Sequence, residues 1–125
     1  MLASQTETLS SPPEIASELT IQELIEMESP KHDVDPKLAA AIAFCESTSR
    51  QFKEGTQIPL RGVHNPYDVG LFQINERFHY EKSQALGYDI NTLEGNLGYA
   101  LWLIENEGSR HWKASEPCWS KIANA

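Results

Sequence analysis

The chain has 125 residues, an ordinary apolar share of 40% and a formal net charge of −8 at pH 7. That length supports one domain with a real core but not two, and no run approaches the roughly 18 consecutive apolar residues of a membrane-spanning helix. The acidic balance speaks against nucleic acid, whose phosphates would be repelled, and against simple electrostatic capture by an anionic cell wall.

Residues 1–19 read as a disordered tail or linker, and 20–125 as the folded domain. Met1 to Thr6 offer neither the basic start nor the apolar core of a secretory leader. Ser10-Ser11-Pro12-Pro13 follows, with little apolar material before Ile15. The expectation is an extracytoplasmic protein (periplasmic, wall-associated or secreted) whose leader or anchor lies outside this sequence. A literal cytoplasmic start is the competing reading.

Thr20-Ile21-Gln22-Glu23 is a capping box that opens a short helix through Ile25, stopping before Ser29-Pro30. Asp35 and Pro36 then suit the N-cap and first position of a second helix, running through Leu38, Ile42 and Glu46. Gly55, Pro59, Gly62 and Pro66 make residues 51–67 a loop or small hairpin. Asn91-Thr92-Leu93-Glu94 offers a second capping box, and Leu93, Leu97, Ala100, Leu101 and Ile104 form one apolar stripe ending before Gly108. Asn96 on that helix reads as a packing or capping residue. Trp102, Trp112 and Trp119 are either core or a sugar platform. His32, His64, His79, His111 and the two cysteines show no metal-ligand spacing, so no metal site and no cofactor are expected. Asp89 to Glu94 lacks the later ligands of a calcium loop, and capping explains it better.

Two carboxylates carry the chemistry. Leu38, Ile42 and Glu46 lie four apart, with Ala39 and Cys45 in the same stripe, which places Glu46 on the face to be buried. Burial disfavours the charged carboxylate and raises its pKa, as a general acid requires. On the same residues, Glu46 is alternatively a solvated helix-end residue, or pairs with Arg50 at i, i+4. Asp68, 22 residues on, follows the turn-like His64-Asn65-Pro66-Tyr67 and precedes Gly70. A polar loop would keep it ionised, while an Asx-turn role is the structural alternative. Such a pair, one protonated and one ionised, is what glycosidic cleavage asks of two acids.

Glu46-Ser47 followed by Asp68-Val69-Gly70-Leu71-Phe72-Gln73-Ile74-Asn75 resembles the active-site region of the lysozyme-like superfamily. The Val34-Asp35-Pro36 approach and the Ala-rich helix into Glu-Ser resemble the soluble lytic transglycosylases, including small secretion-associated members. The Asp68–Asn75 run is similar both to these and to c-type lysozymes. Cys45-Glu46-Ser47, with Trp112 and Cys118-Trp119 downstream, is similar to resuscitation-promoting factors, and the likeness spans about residues 20 to 119.

The resemblance implies a mainly α fold of α+β lysozyme-like type, a helical domain whose short loop or β element flanks a glycan-binding cleft. It implies Glu46 as general acid, Ser47 as a hydroxyl supporting that acid or the substrate, and Asp68 as the second catalytic carboxylate of lysozymes. Gln73 and Asn75 fall at sugar-contacting positions. Phe78 and His79 stand where c-type lysozymes carry rim tryptophans, a departure that reduces the stacking area. Cys45 and Cys118 fall where resuscitation factors place a disulfide. The implied activity is cleavage of the MurNAc-β-1,4-GlcNAc bond of peptidoglycan, by a transglycosylase giving 1,6-anhydro-muramyl ends or a hydrolase using Glu46 and Asp68. A noncatalytic peptidoglycan-binding module is the reading from another class. A monomer is expected, with glycan strands as partner and attachment through the cleft or a delivering protein.

Overall fold

The structure, a computed structural model, describes residues 19–125. The tail expected over residues 1–19 lies, but for Leu19, outside them. The protein is mainly helical, with a small two-stranded antiparallel sheet. Helix α1 spans Ile21–Glu28, α2 Pro36–Ser47, α3 Glu76–Ala85, α4 Leu93–Glu107 and α5 Glu116–Ala123; strands β1 (Asp68–Val69) and β2 (Ile74–Asn75) precede α3. Short 3-10 helices cover Ser29–His32 and Arg110–Ser115. No described helix is long and apolar enough to cross a membrane.

The caps explain the starts. The Thr20 hydroxyl accepts from the Glu23 amide at 3.0 Å and the Glu23 carboxylate from the Thr20 amide at 2.9 Å, completing the first capping box. Asp35 accepts from the Lys37 amide at 2.9 Å, with Pro36 opening α2. The second box does not form. Thr92, not Asn91, is the N-cap and its hydroxyl accepts from the Gly95 amide, so the third helical position holds a glycine with no side chain to reciprocate. Gly95 is there for contact: a Cβ would lie 1.9 Å from the Asp89 carbonyl oxygen. Helices α3 and α5 were not marked by the sequence pattern. Of α3 only Ser83 is buried, and of α5 only Trp119, so neither carries a broad apolar stripe.

The core gathers Ile25, Ala39, Ile42, Val69, Leu71, Phe72, Ile90, Leu97, Tyr99 and Leu101, with Trp112 and Trp119 also buried. Of the two alternatives for the tryptophans, Trp119 belongs to the core, and Trp112 is buried in the core with an edge on the cleft. Helix α2 packs chiefly on α5, and the Cys45–Cys118 disulfide joins them with Cα atoms 6.1 Å apart.

Between β1 and β2 the chain makes a turn through the interior, with Val69, Leu71 and Phe72 fully buried. A buried turn has no water to satisfy its amides and carbonyls, and side chains replace it. Asn96 accepts from the Phe72 amide at 2.9 Å and donates to the Val69 and Ile90 carbonyls at 2.8 and 2.9 Å. Gln51 accepts from the Leu71 amide at 2.8 Å, Ser47 donates to the Leu71 carbonyl at 2.7 Å, and the Trp112 indole donates to the Phe72 carbonyl at 2.8 Å. Gly70, at φ +75°, lets Gln51 and Asn96 approach so closely that a Cβ would lie 2.5 Å from one and 2.6 Å from the other.

Two stability outcomes follow from these ties. Asn96→Ala strands the buried Phe72 amide and takes a donor from the Val69 and Ile90 carbonyls, the latter keeping the Gln51 amide group at 3.2 Å, and should destabilise by about 2 kcal/mol or more, read from the denaturation midpoint; a loss below about 1 kcal/mol would contradict the account. Reduction of Cys45–Cys118, whose cysteines are 73 residues apart, should cost on the order of 4 kcal/mol. Intact mass before and after reductant should differ by two hydrogens.

Candidate functional site

Glu46 and Asp68 come to one cleft, of about 350 Å³, also lined by Gln73, Ile74, Asn75, Phe78, His79, Leu103, His111, Trp112 and Ala114. Helix α2 brings Glu46 at its last turn and β1 brings Asp68 across the buried turn. The floor is Leu103 and Trp112; Phe78, 83% exposed, stands at the rim as a bare ring.

Glu46 is half-buried and its Oε2 accepts from the Ser115 hydroxyl at 2.6 Å. Burial raises its carboxyl pKa above the ordinary value, the Ser115 bond partly offsets that, and the nearby Asp68 charge adds to the rise. The alternative pairing with Arg50 is not made: the Arg50 guanidinium donates to the Ser47 carbonyl at 2.9 Å. Asp68, expected in a polar loop or short turn, stands in β1 at the entry to the buried turn. It pairs with Asn75 across the two strands, and its carboxylate accepts from the Asn75 amide group at 3.2 Å. Burial pushes its pKa up, with the Asn75 bond opposing. Both acids are therefore raised, where one raised and one solvated carboxylate were expected.

The remaining expected site residues divide. Gln73 and Phe78 line the cleft, Gln73 in the left-handed backbone region at φ +50°, with its amide group donating to the Gly70 carbonyl at 3.0 Å. Asn75 also lines it, but its side-chain oxygen caps α3 by accepting from the Arg77 and Phe78 amides at 3.0 and 3.3 Å, and its NH2 is on Asp68. It therefore holds Asp68 and starts α3, with little hydrogen-bonding capacity left over for a sugar. Ser47 is not among the residues that line the cleft. It is 4% exposed, and its hydroxyl serves the Leu71 carbonyl and the Arg50 amide, away from Glu46 and the cleft.

Sequence reading passed over two groups here. Ser115 lies 69 residues from Glu46; no local pattern connects them, yet Cys118, one turn on, is bonded to the residue before Glu46. The second is a chain of polar contacts that runs from the cleft wall at His79 and His111 back to Tyr99 and Glu107. His79 Nδ1 is 2.7 Å from the Tyr99 hydroxyl, its ring meets that of His111 edge-on at 5.2 Å, and His111 Nε2 is 2.7 Å from Glu107. Lys82 and Arg110 reach Glu107 at 2.9 and 3.0 Å. Glu107 is held down at about 2, first by the Lys82 bond and then by His111. Burial and then the His111 charge push His79 down, while burial and then Glu107 push Tyr99 up to about 12. Among the described residues no three His, Cys, Asp or Glu side chains gather as a metal site.

The chain was compared with models of known families, with curated proteins and with solved structures, and nothing matched it.

Glu107 titrates well below an unfolded glutamate, so its contribution to stability is full above the ordinary carboxyl range and is lost as pH falls toward about 2. The neutral form favoured at His79 acts in the same direction, opposing protonation. Glu107→Gln should therefore lower the melting temperature at pH 6 clearly more than at pH 2.5. An equal loss at both would show that this cluster does not couple protonation to folding.

Proposed function

We propose that the protein is a peptidoglycan glycosidase of the lysozyme-like kind, acting as a lytic transglycosylase on the MurNAc-β-1,4-GlcNAc bond. The observation that supports this most directly is a half-buried glutamate, its pKa raised by burial, facing a cleft it shares with a second acid. A carboxyl kept protonated toward neutrality is the proton donor that a glycosidic oxygen needs to leave. The resemblance of Glu46-Ser47 and of the Asp68–Asn75 run supplies the substrate class.

In this reading Glu46 gives its proton to the bridging oxygen as the bond to the muramyl C1 breaks. Positive charge develops at C1 and the ring oxygen, and Asp68 stabilises it through space. The Glu46 carboxylate then takes the proton of the muramyl 6-hydroxyl while that oxygen closes on C1, giving the 1,6-anhydro ring and restoring the acid. No water is consumed. The presence of Asp68 in the same cleft favours one second reading, a hydrolase in which water completes the reaction and Asp68 is nucleophile or electrostatic stabiliser. The exposed Phe78 ring supports stacking of a sugar at the rim.

Mass spectrometry of muropeptides released from purified peptidoglycan tests both. Anhydro-muramyl ends are expected; reducing ends would give the hydrolase, and no products at all would leave a binding module. Glu46→Gln removes the transferable proton and should cut turnover by at least about 10²-fold while glycan binding survives. Asp68→Asn should cost far less. Equal loss from both substitutions, together with reducing ends, would replace the transglycosylase by the lysozyme route.

A further inference from the structure

Glu46 has two carboxyl oxygens, and the protein engages one. Ser115 Oγ lies 2.6 Å from Oε2 and 3.2 Å from the Trp112 carbonyl, whereas Oε1 has no protein partner among the described residues and is not a buried orphan. A serine hydroxyl has a single hydrogen to donate. Placing the carboxyl proton on Oε2 would turn that hydrogen away, toward the longer contact at Trp112. Placing it on Oε1 keeps the serine hydrogen in the 2.6 Å bond and off a carbonyl that the Trp119 indole already fills.

We propose that Ser115 is the positioning residue of the Glu46 acid: its hydroxyl stays on Oε2 and confines the transferable proton to Oε1, the oxygen left to the cleft. This deepens the glycosidase reading and rests on it. The same bond serves the return step, because a hydroxyl at 2.6 Å from an ionised oxygen is a short, charge-assisted bond that strengthens when the proton has left. Ser115 therefore works against the burial of Glu46, so that the acid can give up a proton as well as hold one.

Its place is fixed from three sides. The Trp112 indole is on the Phe72 carbonyl at 2.8 Å, the Trp119 indole is on the Trp112 carbonyl at 2.9 Å, and Cys118 is bonded to Cys45 beside the acid. Because Trp119 already satisfies the Trp112 carbonyl, removing the Ser115 hydroxyl leaves no backbone group orphaned. The titratable side chains that share the cleft with Glu46 are Asp68 on β1, His79 on α3 and His111 on the second 3-10 helix. Of these, Asp68 is the one whose charge raises the Glu46 pKa.

The test is a carbon-13 titration of the Glu46 carboxyl in the wild type, Ser115→Ala and Ser115→Thr, beside the pH profile of peptidoglycan digestion. In Ser115→Ala the midpoint should rise by about half a pH unit or more. The alkaline limb of kcat/KM should move up with it, and kcat should fall about tenfold with KM little changed. Ser115→Thr should restore both. A midpoint unmoved in folded Ser115→Ala would overturn the proposal, as would loss of the fold in that variant. A shifted midpoint in a protein inert on peptidoglycan would instead defeat the glycosidase reading alone.

Discussion

The buried turn between the two strands is the constraint on which the rest of the structure depends. Turns belong at the surface because their amides and carbonyls need water, and this one runs through the interior. Ser47, Gln51, Asn96 and Trp112 replace the solvent, reaching in from three separate parts of the chain. A turn so bound cannot shift its register without stranding several polar groups, each costing about 1–3 kcal/mol. Asp68 enters the turn and Asn75 leaves it, so both are delivered to the cleft by a rigid element rather than by a loop.

The cleft joins two carboxylates whose surroundings differ in kind rather than in direction. Burial raises both, but Glu46 is opposed by one hydroxyl from a distant segment, and Asp68 by the amide of its cross-strand neighbour. The stronger desolvation acts on the residue at the helix end, against Trp112 and the C-terminal segment. An acid there that also feels a second negative charge is biased toward its protonated form.

Much of this depends on how the C-terminal segment is held. Helix α5 has one buried residue, Trp119, and would dock weakly by apolar area alone. The disulfide to Cys45 and two indole N–H bonds fix it instead. The segment thereby becomes part of the cleft, contributing Trp112 to the floor and Ser115 to the acid. The polar chain from His79 to Glu107 braces the opposite wall by joining α3, α4 and the second 3-10 helix.

The sequence by itself determined the local features whose causes are local. Thr20 with Glu23, Asp35 with Pro36, and the stripe from Leu93 to Ile104 ending at Gly108 mark helices because caps and periodicity act over one to four residues. The spacing of Glu46 on its stripe was enough to put it on a half-buried face, whereas Asn96, expected as a packing or capping residue, uses its amide to bracket the buried turn. Tertiary structure decided the rest, for reasons of range. Ser47 turns inward because a carbonyl 24 residues away needs a donor, and Asn75 caps α3 and holds Asp68 because the strand pairing puts it there. Ser115 meets Glu46 across 69 residues, through a fold that alone brings their segments together; no periodicity encodes such a contact, since it depends on the helices having closed around their core.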